Sequence, residues 1–221
     1  MATYLITGSN RGIGLEYCRQ LAEKGHEVIA TCRSSSSELD SIGVRVETGV
    51  DVTSGSSVLS LRKKLEGTNI DVLIQNAGIA ELNSLSNLDP ESVIRQFEVN
   101  ALSPLCFVYT FLDKLSKGAK IVLMTSRMGS IDDNTSGGSY GYRMSKAALC
   151  MAGKSLSIDL TSKGISVAIL HPGLVSTRMT GFTSSGISTE QSVKGLIERI
   201  DSLTLQNSGT FWHSNGELLP W

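Results

Sequence analysis

The stretch that decides the fold is Thr3-Tyr4-Leu5-Ile6-Thr7-Gly8-Ser9-Asn10-Arg11-Gly12-Ile13-Gly14. Its first five residues form a short apolar run, which predicts a buried strand. The following "IGLEYCRQLAEKG" places Ile13, Tyr17 and Leu21 on one helical face, with Gly25 as its stop. Between strand and helix lie Gly8, Gly12 and Gly14. Glycines there let backbone amides approach a pyrophosphate, and the helix N-terminus adds a partial positive charge. The spacing is Gly-x-x-x-Gly-x-Gly, and three glycines alone also suit a plain turn. A strand before them and a helix behind them favour a nucleotide site made by Gly8, Ser9, Asn10, Arg11, Gly12, Ile13 and Gly14.

Working outward, the alternation repeats. Further strands are predicted in "HEVIATCR", "VRVETGVDV", "DVLIQNAG", "AKIVLMTS", "ISVAILHPG" and "GTFWHSNG". Helices are predicted over 56–65, from Pro90 to about Lys117 with a kink at Pro104, over 142–163 and over 193–203. Residues 180–189 read as a mobile loop. Alternating strands and helices imply an α/β, Rossmann-like, doubly wound sheet of seven mostly parallel strands with helices on both faces. Residues 1–221 then form one domain that carries both cofactor and catalytic sites.

Composition narrows the partners. Twenty basic and twenty-one acidic residues leave a net charge of −1, which points to neither nucleic acid nor an anionic membrane. No apolar run is long enough to span a bilayer. The N-terminal "MATYLITGSN" lacks the features of a signal peptide. Cys18, Cys32, Cys106 and Cys150 are scattered, as are His26, His171 and His213. Reduced thiols, a cytoplasmic location and no metal site are expected.

The end of the second strand bears on cofactor choice. An acid usually stands there in NAD-binding folds to bind the ribose hydroxyls. Here the residues are Thr31-Cys32-Arg33-Ser34. Arg33 suits a 2'-phosphate, with Arg11 reaching from the glycine loop and Ser34 adding a bond. The cofactor expected is NADP, as NADPH. The plainer reading of Arg33 is a solvated strand-end charge.

The chemistry is expected in Ser139-Tyr140-Gly141-Tyr142-Arg143-Met144-Ser145-Lys146. A phenol, with a pKa of about 10, needs a nearby cation to exchange a proton near neutrality. Tyr142 and Lys146 are four apart and share a helical face. Tyr140 is six from the lysine, about 600° around the helix, and is expected before a break at Gly141. Ser126 is expected to end the fifth strand, at the carboxyl edge where open sheets bind ligands.

With "TGSNRGIG" and "YRMSK" in this order, the chain resembles the short-chain dehydrogenase/reductase family. The likeness includes Asp51-Val52 as the adenine-contacting pair, the Asn76-Ala77-Gly78 turn, Asn100, Ser126, and the segment Pro172-Gly173 with Val175 and Thr177 that closes over the nicotinamide. "VIATCR" and "FWHSNGELLPW" are most similar to the sniffer-like carbonyl reductases and the C-signal proteins. The resemblance implies an NADP-dependent reduction of a ketone or aldehyde. Tyr142 would be proton donor, Lys146 its modulator and ribose ligand, Ser126 the carbonyl anchor and Asn100 the holder of a relay water. It also implies a homo-oligomer, dimer or tetramer. Gln75 departs from the family's usual asparagine, and "DDNTSGGS" is expected to bulge near the site mouth. Arg178 is the one loop residue suited to an anionic substrate, so a neutral, apolar carbonyl is preferred. The rival reading is a cofactor-binding sensor or signalling protein with incidental turnover.

Overall fold

A computed structural model describes the whole chain, residues 1–221. Seven strands form one sheet: β1 (Thr3–Thr7), β2 (Glu27–Thr31), β3 (Arg45–Glu47), β4 (Ile70–Gln75), β5 (Leu115–Met124), β6 (Ser166–His171) and β7 (Thr210–His213). They lie in the order β3-β2-β1-β4-β5-β6-β7, and every neighbouring pair is parallel. The order reverses between β1 and β4. Open sheets bind ligands beyond the carboxyl ends of strands at such a switch point.

The helices are α1 (Gly12–Glu23), α2 (Ser37–Asp40), α3 (Gly55–Lys64), α4 (Pro90–Phe97), α5 (Ser103–Phe111), α6 (Tyr140–Asp159) and α7 (Thr189–Asp201). Successive strand residues point to opposite faces, so each central strand feeds two cores. Tyr4, Ile6, Val72, Ile74, Val122 and Met124 pack with Tyr17 and Leu21 of α1 and Leu196 and Ile200 of α7. Leu5, Leu73, Ile121 and Leu123 pack on the other face with Leu61 of α3, Phe107 and Phe111 of α5, and Leu149 of α6. This two-sided burial explains why the strands read as continuous apolar runs.

The structure departs from sequence expectation in the second half. The helix after Pro90 ends by Lys114, and β5 begins at Leu115. Its irregularity is a π-turn at Glu98–Leu102, ahead of Pro104 rather than at it. Pro104 follows directly on this turn in a continuous run of helical backbone, so its missing N–H falls where the hydrogen-bond ladder is already irregular. β5 ends at Met124, and Ser126 instead caps the short turn Arg127–Gly129. α6 begins at Tyr140, so Gly141 lies inside the helix and breaks nothing.

Met144 and Met151 are exposed on α6, whereas Leu149 is buried. Phe211 packs in a small cluster with Cys150, Ile169 and Leu219, and Trp221 stacks on its ring. No helix is long and apolar enough to cross a membrane.

Candidate active site

The β1–α1 loop and the end of β4 meet at the switch point. Thr7 Oγ1 accepts from the Asn76 and Ala77 amides at 3.0 and 3.1 Å. Asn76 Nδ2 donates back to the carbonyls of Thr7 and Gly8. Gly8 has φ +68°, and a Cβ there would lie 2.9 Å from Ala77 Cα. A Cβ on Gly14 would lie 2.2 Å from Gly8 O. The glycines thus let the loop fold onto itself and onto the Asn-Ala-Gly turn. The N-terminus of α1 has no side-chain cap and no acid in its first turn. Its amides remain available to an anion. Gly12, at φ +57°, faces the Thr177 methyl 3.7 Å from its Cβ position, so the segment after β6 returns over the loop.

Ser9 is buried and its hydroxyl donates to Ile6 O. Asn10 Nδ2 donates to Ser34 O, which ties the glycine loop to the end of β2. Arg11 and Arg33 are both exposed, and neither takes part in an ion pair. No carboxylate occupies the strand end. Asp51 lies further along: the Thr53 amide and hydroxyl, then the Arg33 cation, hold its carboxyl below the usual value. Val52 packs against the core under α3.

Tyr142 and Lys146 share one face of α6. Lys146 Nζ lies 5.7 Å from the centre of the Tyr142 ring and donates to Met124 O at 2.9 Å. Lys146 is buried, and loss of solvent pulls its pKa down to about 8. Burial raises the Tyr142 phenol, and the Ser126 hydroxyl beside it pulls the other way. The cation thus sits against the ring and a carbonyl, without a hydrogen bond to the phenol oxygen. Ser126 is buried, and its Oγ accepts from the Met128 amide.

Asn100, in the π-turn, is fully buried. Its Oδ1 accepts from the Ile79 amide at 2.9 Å, and its Nδ2 donates to Ile79 O at 2.8 Å and Ser145 Oγ at 3.0 Å. Both amide hydrogens are committed to protein partners, so the side chain fixes the backbone of Ile79 and the hydroxyl of Ser145. A Cβ on Gly78 would lie 3.1 Å from Asn100 Oδ1 and 3.6 Å from Lys146 Nζ, which joins the Asn-Ala-Gly turn to the lysine. Ser145 Oγ donates to Tyr142 O within α6.

Sequence reading missed Gln96. It is fully buried and pairs with both main-chain groups of Glu81, its Oε1 accepting at 3.0 Å and its Nε2 donating at 3.1 Å. A Cβ on Gly141 would lie 2.6 Å from Gln96 Nε2. Glycine at this position lets the first turn of α6 pass close to α4 at Gln96. The one available signal was the four-residue step from Gln96 to Asn100, which puts two carboxamides on one face.

The segment after β6 is held from behind. Pro172 O accepts from Ser192 Oγ and Ser214 Oγ. Val175 is buried and bridges to Ile187. Thr177 N donates to Thr180 Oγ1. Residues 180–189 are therefore anchored at both ends. His171, before Pro172, packs edge-on against His213 at 4.8 Å, and burial pulls its pKa down to about 3. Arg127 pairs with Asp133 and with Glu217 of the C-terminal tail.

Residues 2–187 match the model of the short chain dehydrogenase family. The chain is 43% identical over 226 residues to a 1-hydroxy-2-glutathionyl-2-methyl-3-butene dehydrogenase of Rhodococcus sp. (strain AD45), covering 100% of both chains. It is 43% identical over 155 residues to C-signal of Myxococcus xanthus, covering 69% of this chain and 93% of the relative. The NADPH-bound carbonyl reductase from chicken fatty liver superposes with a TM-score of 0.91 at 30% identity, over 100% of this chain and 99% of that one. The family match runs through the glycine loop and the segment after Pro172, and likeness to a relative extends the full length. The chain belongs to the short-chain dehydrogenase/reductase family of oxidoreductases.

Proposed function

We propose that the chain is an NADP(H)-dependent enzyme that reduces a ketone or aldehyde to its alcohol, reversibly, with Tyr142 as proton donor. The observation that carries this is the buried Lys146 ammonium held against the Tyr142 ring beside Ser126. The cradle fits the cofactor: an uncapped helix start for the pyrophosphate, and the exposed Arg11 and Arg33, neither in an ion pair, for a 2'-phosphate. When bound, the reduced nicotinamide supplies the hydride.

The protein's part follows from its residues. Ser126 Oγ donates to the carbonyl oxygen and fixes its direction. Tyr142 gives its proton to that oxygen as negative charge develops there. Lys146 lies close enough to favour the phenolate left behind, which lowers the cost of the transfer. Asn100 maintains the lysine's surroundings by fixing Ile79, which follows Gly78, and Ser145, which precedes Lys146. Asp51, Val52, Asn76, Ala77 and Gly78 would line the adenine and ribose side. Pro172, Gly173, Val175 and Thr177 would close over the nicotinamide. Free cysteines fit a cytoplasmic setting.

The test is Tyr142→Phe. NADPH-dependent carbonyl reduction should fall by about 10²–10⁴-fold with NADPH affinity unchanged. Parental activity in the variant would sink the mechanism.

A second reading of the substrate has its own support. The relative alike along its full length is named for a glutathionyl alcohol. Arg143 adjoins Tyr142 and bonds only to Ser136 Oγ and Gly137 O, with no acid beside it. Arg178 is exposed next to Thr177. These two cations suit the carboxylates of a peptide thioether.

We also infer a homo-oligomer. Ile94, Phe97, Leu105, Tyr109, Met144 and Met151 leave an exposed apolar face on α4, α5 and α6, which a second copy would cover. A solution mass equal to one chain at micromolar concentration would remove that part.

A further inference from the structure

The loop that carries Ser126 and the segment that begins at Pro172 are tied to one strap. After Ser126 the chain turns at Arg127–Gly129, with the Met128 amide donating to Ser126 Oγ at 3.2 Å and the Gly129 amide to Ser126 O at 2.8 Å. A Cβ on Gly129 would lie 2.7 Å from the carbonyl carbon of Lys146, so the turn sits hard against the helix that carries Tyr142. The place of the Ser126 hydroxyl therefore depends on how this turn is seated.

A second hold on the turn comes from the chain after β7. The His213 amide donates to Glu217 O and the Leu219 amide to Phe211 O, so residues 217–219 run back antiparallel along β7. This hairpin reaches both loops. At its tip, the Ser214 amide donates to His171 O and Ser214 Oγ to Pro172 O, and the His213 ring stands 3.3 Å from where a Cβ on Gly173 would be. On its return arm, Trp221 O accepts from the Asp132 amide at 2.8 Å and from Ser130 Oγ at 3.1 Å. The joint between arm and turn is Arg127, the residue next to Ser126. Its Nη2 donates to Glu217 Oε1 at 2.7 Å, and its Nε lies 3.1 Å from Asp133 Oδ2. One guanidinium thus binds the Ser126 turn to the loop after it and to the strap that also holds Pro172 and Gly173. All three side chains are partly exposed, and such pairs add little to stability. A planar fork with two acceptors does fix direction, which a single ammonium does not.

We propose that Arg127 is a positioning residue for the carbonyl reduction: with Glu217 it locks the Ser126 turn to the strap, and so holds Ser126 in register with the Pro172–Gly173 segment. This rests on the oxidoreductase reading and adds to it a residue that touches neither substrate nor cofactor.

Hydrogen exchange tests the lock without turnover. Glu217→Gln alters the strap, ninety positions from Arg127. It should speed amide exchange at residues 128–130 by about threefold or more, as Arg127→Met should at residues 213–219. Faster exchange confined to the neighbourhood of each substitution overturns the proposal. Kinetics tests the consequence, with whichever of 2-hexanone, cyclohexanone and benzaldehyde the parent reduces fastest. The single-turnover rate of NADPH oxidation should fall by about tenfold in Arg127→Met, the scale of a modest misplacement of a reacting group. NADPH affinity should stay within about twofold and Tm within about 3 °C, as for loss of an exposed pair. Arg127→Lys, which keeps the charge but not the fork, should fall between the two rates. Adding Glu217→Gln to Arg127→Met should slow the enzyme no further, since both break one link. A parental rate in Arg127→Met, losses that multiply in the double variant, or a rate that falls only in step with Tm overturns the proposal. If the parent reduces none of the three carbonyls, the oxidoreductase reading fails separately, and the exchange measurement alone decides Arg127.

Discussion

The turn from β1 into α1 and the turn from β5 into α6 both bring glycine close to a helix start, for different reasons. In the first, Gly8 and Gly12 hold positive φ, and the loop folds on itself to leave an uncapped helix N-terminus. In the second, Gly141 has ordinary helical geometry, but Gln96, forty-five positions earlier, occupies the space where its Cβ would stand. The first is a local constraint of the backbone. The second is a contact between distant parts of the chain. The first also keeps its arginines in water, whereas the second buries a lysine and, behind it, half-buries a histidine.

The comparison breaks most visibly at the first junction. Gly14→Ala puts a Cβ 2.2 Å from Gly8 O, a backbone atom that cannot move aside. NADPH affinity should fall by about a hundredfold or more, the equivalent of a few kcal/mol of overpacking strain. Fluorescence titration checks it. A variant that binds like the parent means that the loop does not cradle the cofactor. At the second junction, Gly141→Ala meets a side chain instead, which can be removed. The single change should cost about 1–3 kcal/mol of stability and lower kcat, with NADPH affinity within twofold of parental. Adding Gln96→Ala should return part of the loss of stability, seen as a favourable coupling energy in a double-mutant cycle. Strict additivity would mean that Gln96 and Gly141 do not meet.

The same distinction explains what the sequence disclosed. The sheet was legible because Tyr4 to Ile6, Val72 to Ile74 and Ile121 to Met124 are buried on both faces and read as apolar runs. The glycine loop and the Tyr142–Lys146 spacing were legible because both are set within a few residues. The π-turn at Glu98–Leu102 was not. Nothing in "EVNAL" itself disfavours a regular helix, and what accompanies the extra residue is the Asn100 clamp on Ile79. The start of α6 was misplaced for the same reason. Glycine usually weakens a helix, and nothing near Gly141 in sequence shows that Gln96 occupies the space of its Cβ.

A smaller effect sharpens the electrostatic side of the comparison. Arg33 stands exposed at the end of β2 and makes no ion pair, with Asp51 its nearest acid in effect. Arg33→Ala should weaken NADPH binding by about tenfold, the order of one charge-assisted bond, and leave NADH binding unchanged. The NADPH affinity of the parent should also fall more steeply with salt than that of the variant, which keeps only Arg11 at the 2'-phosphate. Equal losses for both cofactors would assign Arg33 to the adenine or ribose rather than the 2'-phosphate.

The half-buried histidine behind the second junction gives the smallest and most selective test. His171 has a folded pKa of about 3 against an ordinary 6.5, caused first by burial, then by His213, Arg127 and Lys146. In the unfolded chain it takes up a proton below pH 6.5, and in the folded chain it does not until about pH 3. The unfolded state therefore binds more protons in this window, so stability must fall as pH falls from 6.5 toward 3. Fully developed, one such proton changes stability by about 1.4 kcal/mol per pH unit. Carboxylates held below their usual values, such as Asp51 by Thr53 and Asp113 by Arg62, add acid sensitivity only at lower pH. Lys146 acts at the other end: its charge is costly to fold below about pH 8, and that cost is relieved as pH rises from there toward 10.5. Between pH 4.5 and 6.5 the slope thus belongs to the histidines, His213 contributing in the same direction. Denaturant melts of the parent and His171→Asn across that window should show a shallower slope in the variant. Parallel slopes would mean that His171 takes up its proton while folded, and that the ground beneath Pro172 is wetter than its burial implies.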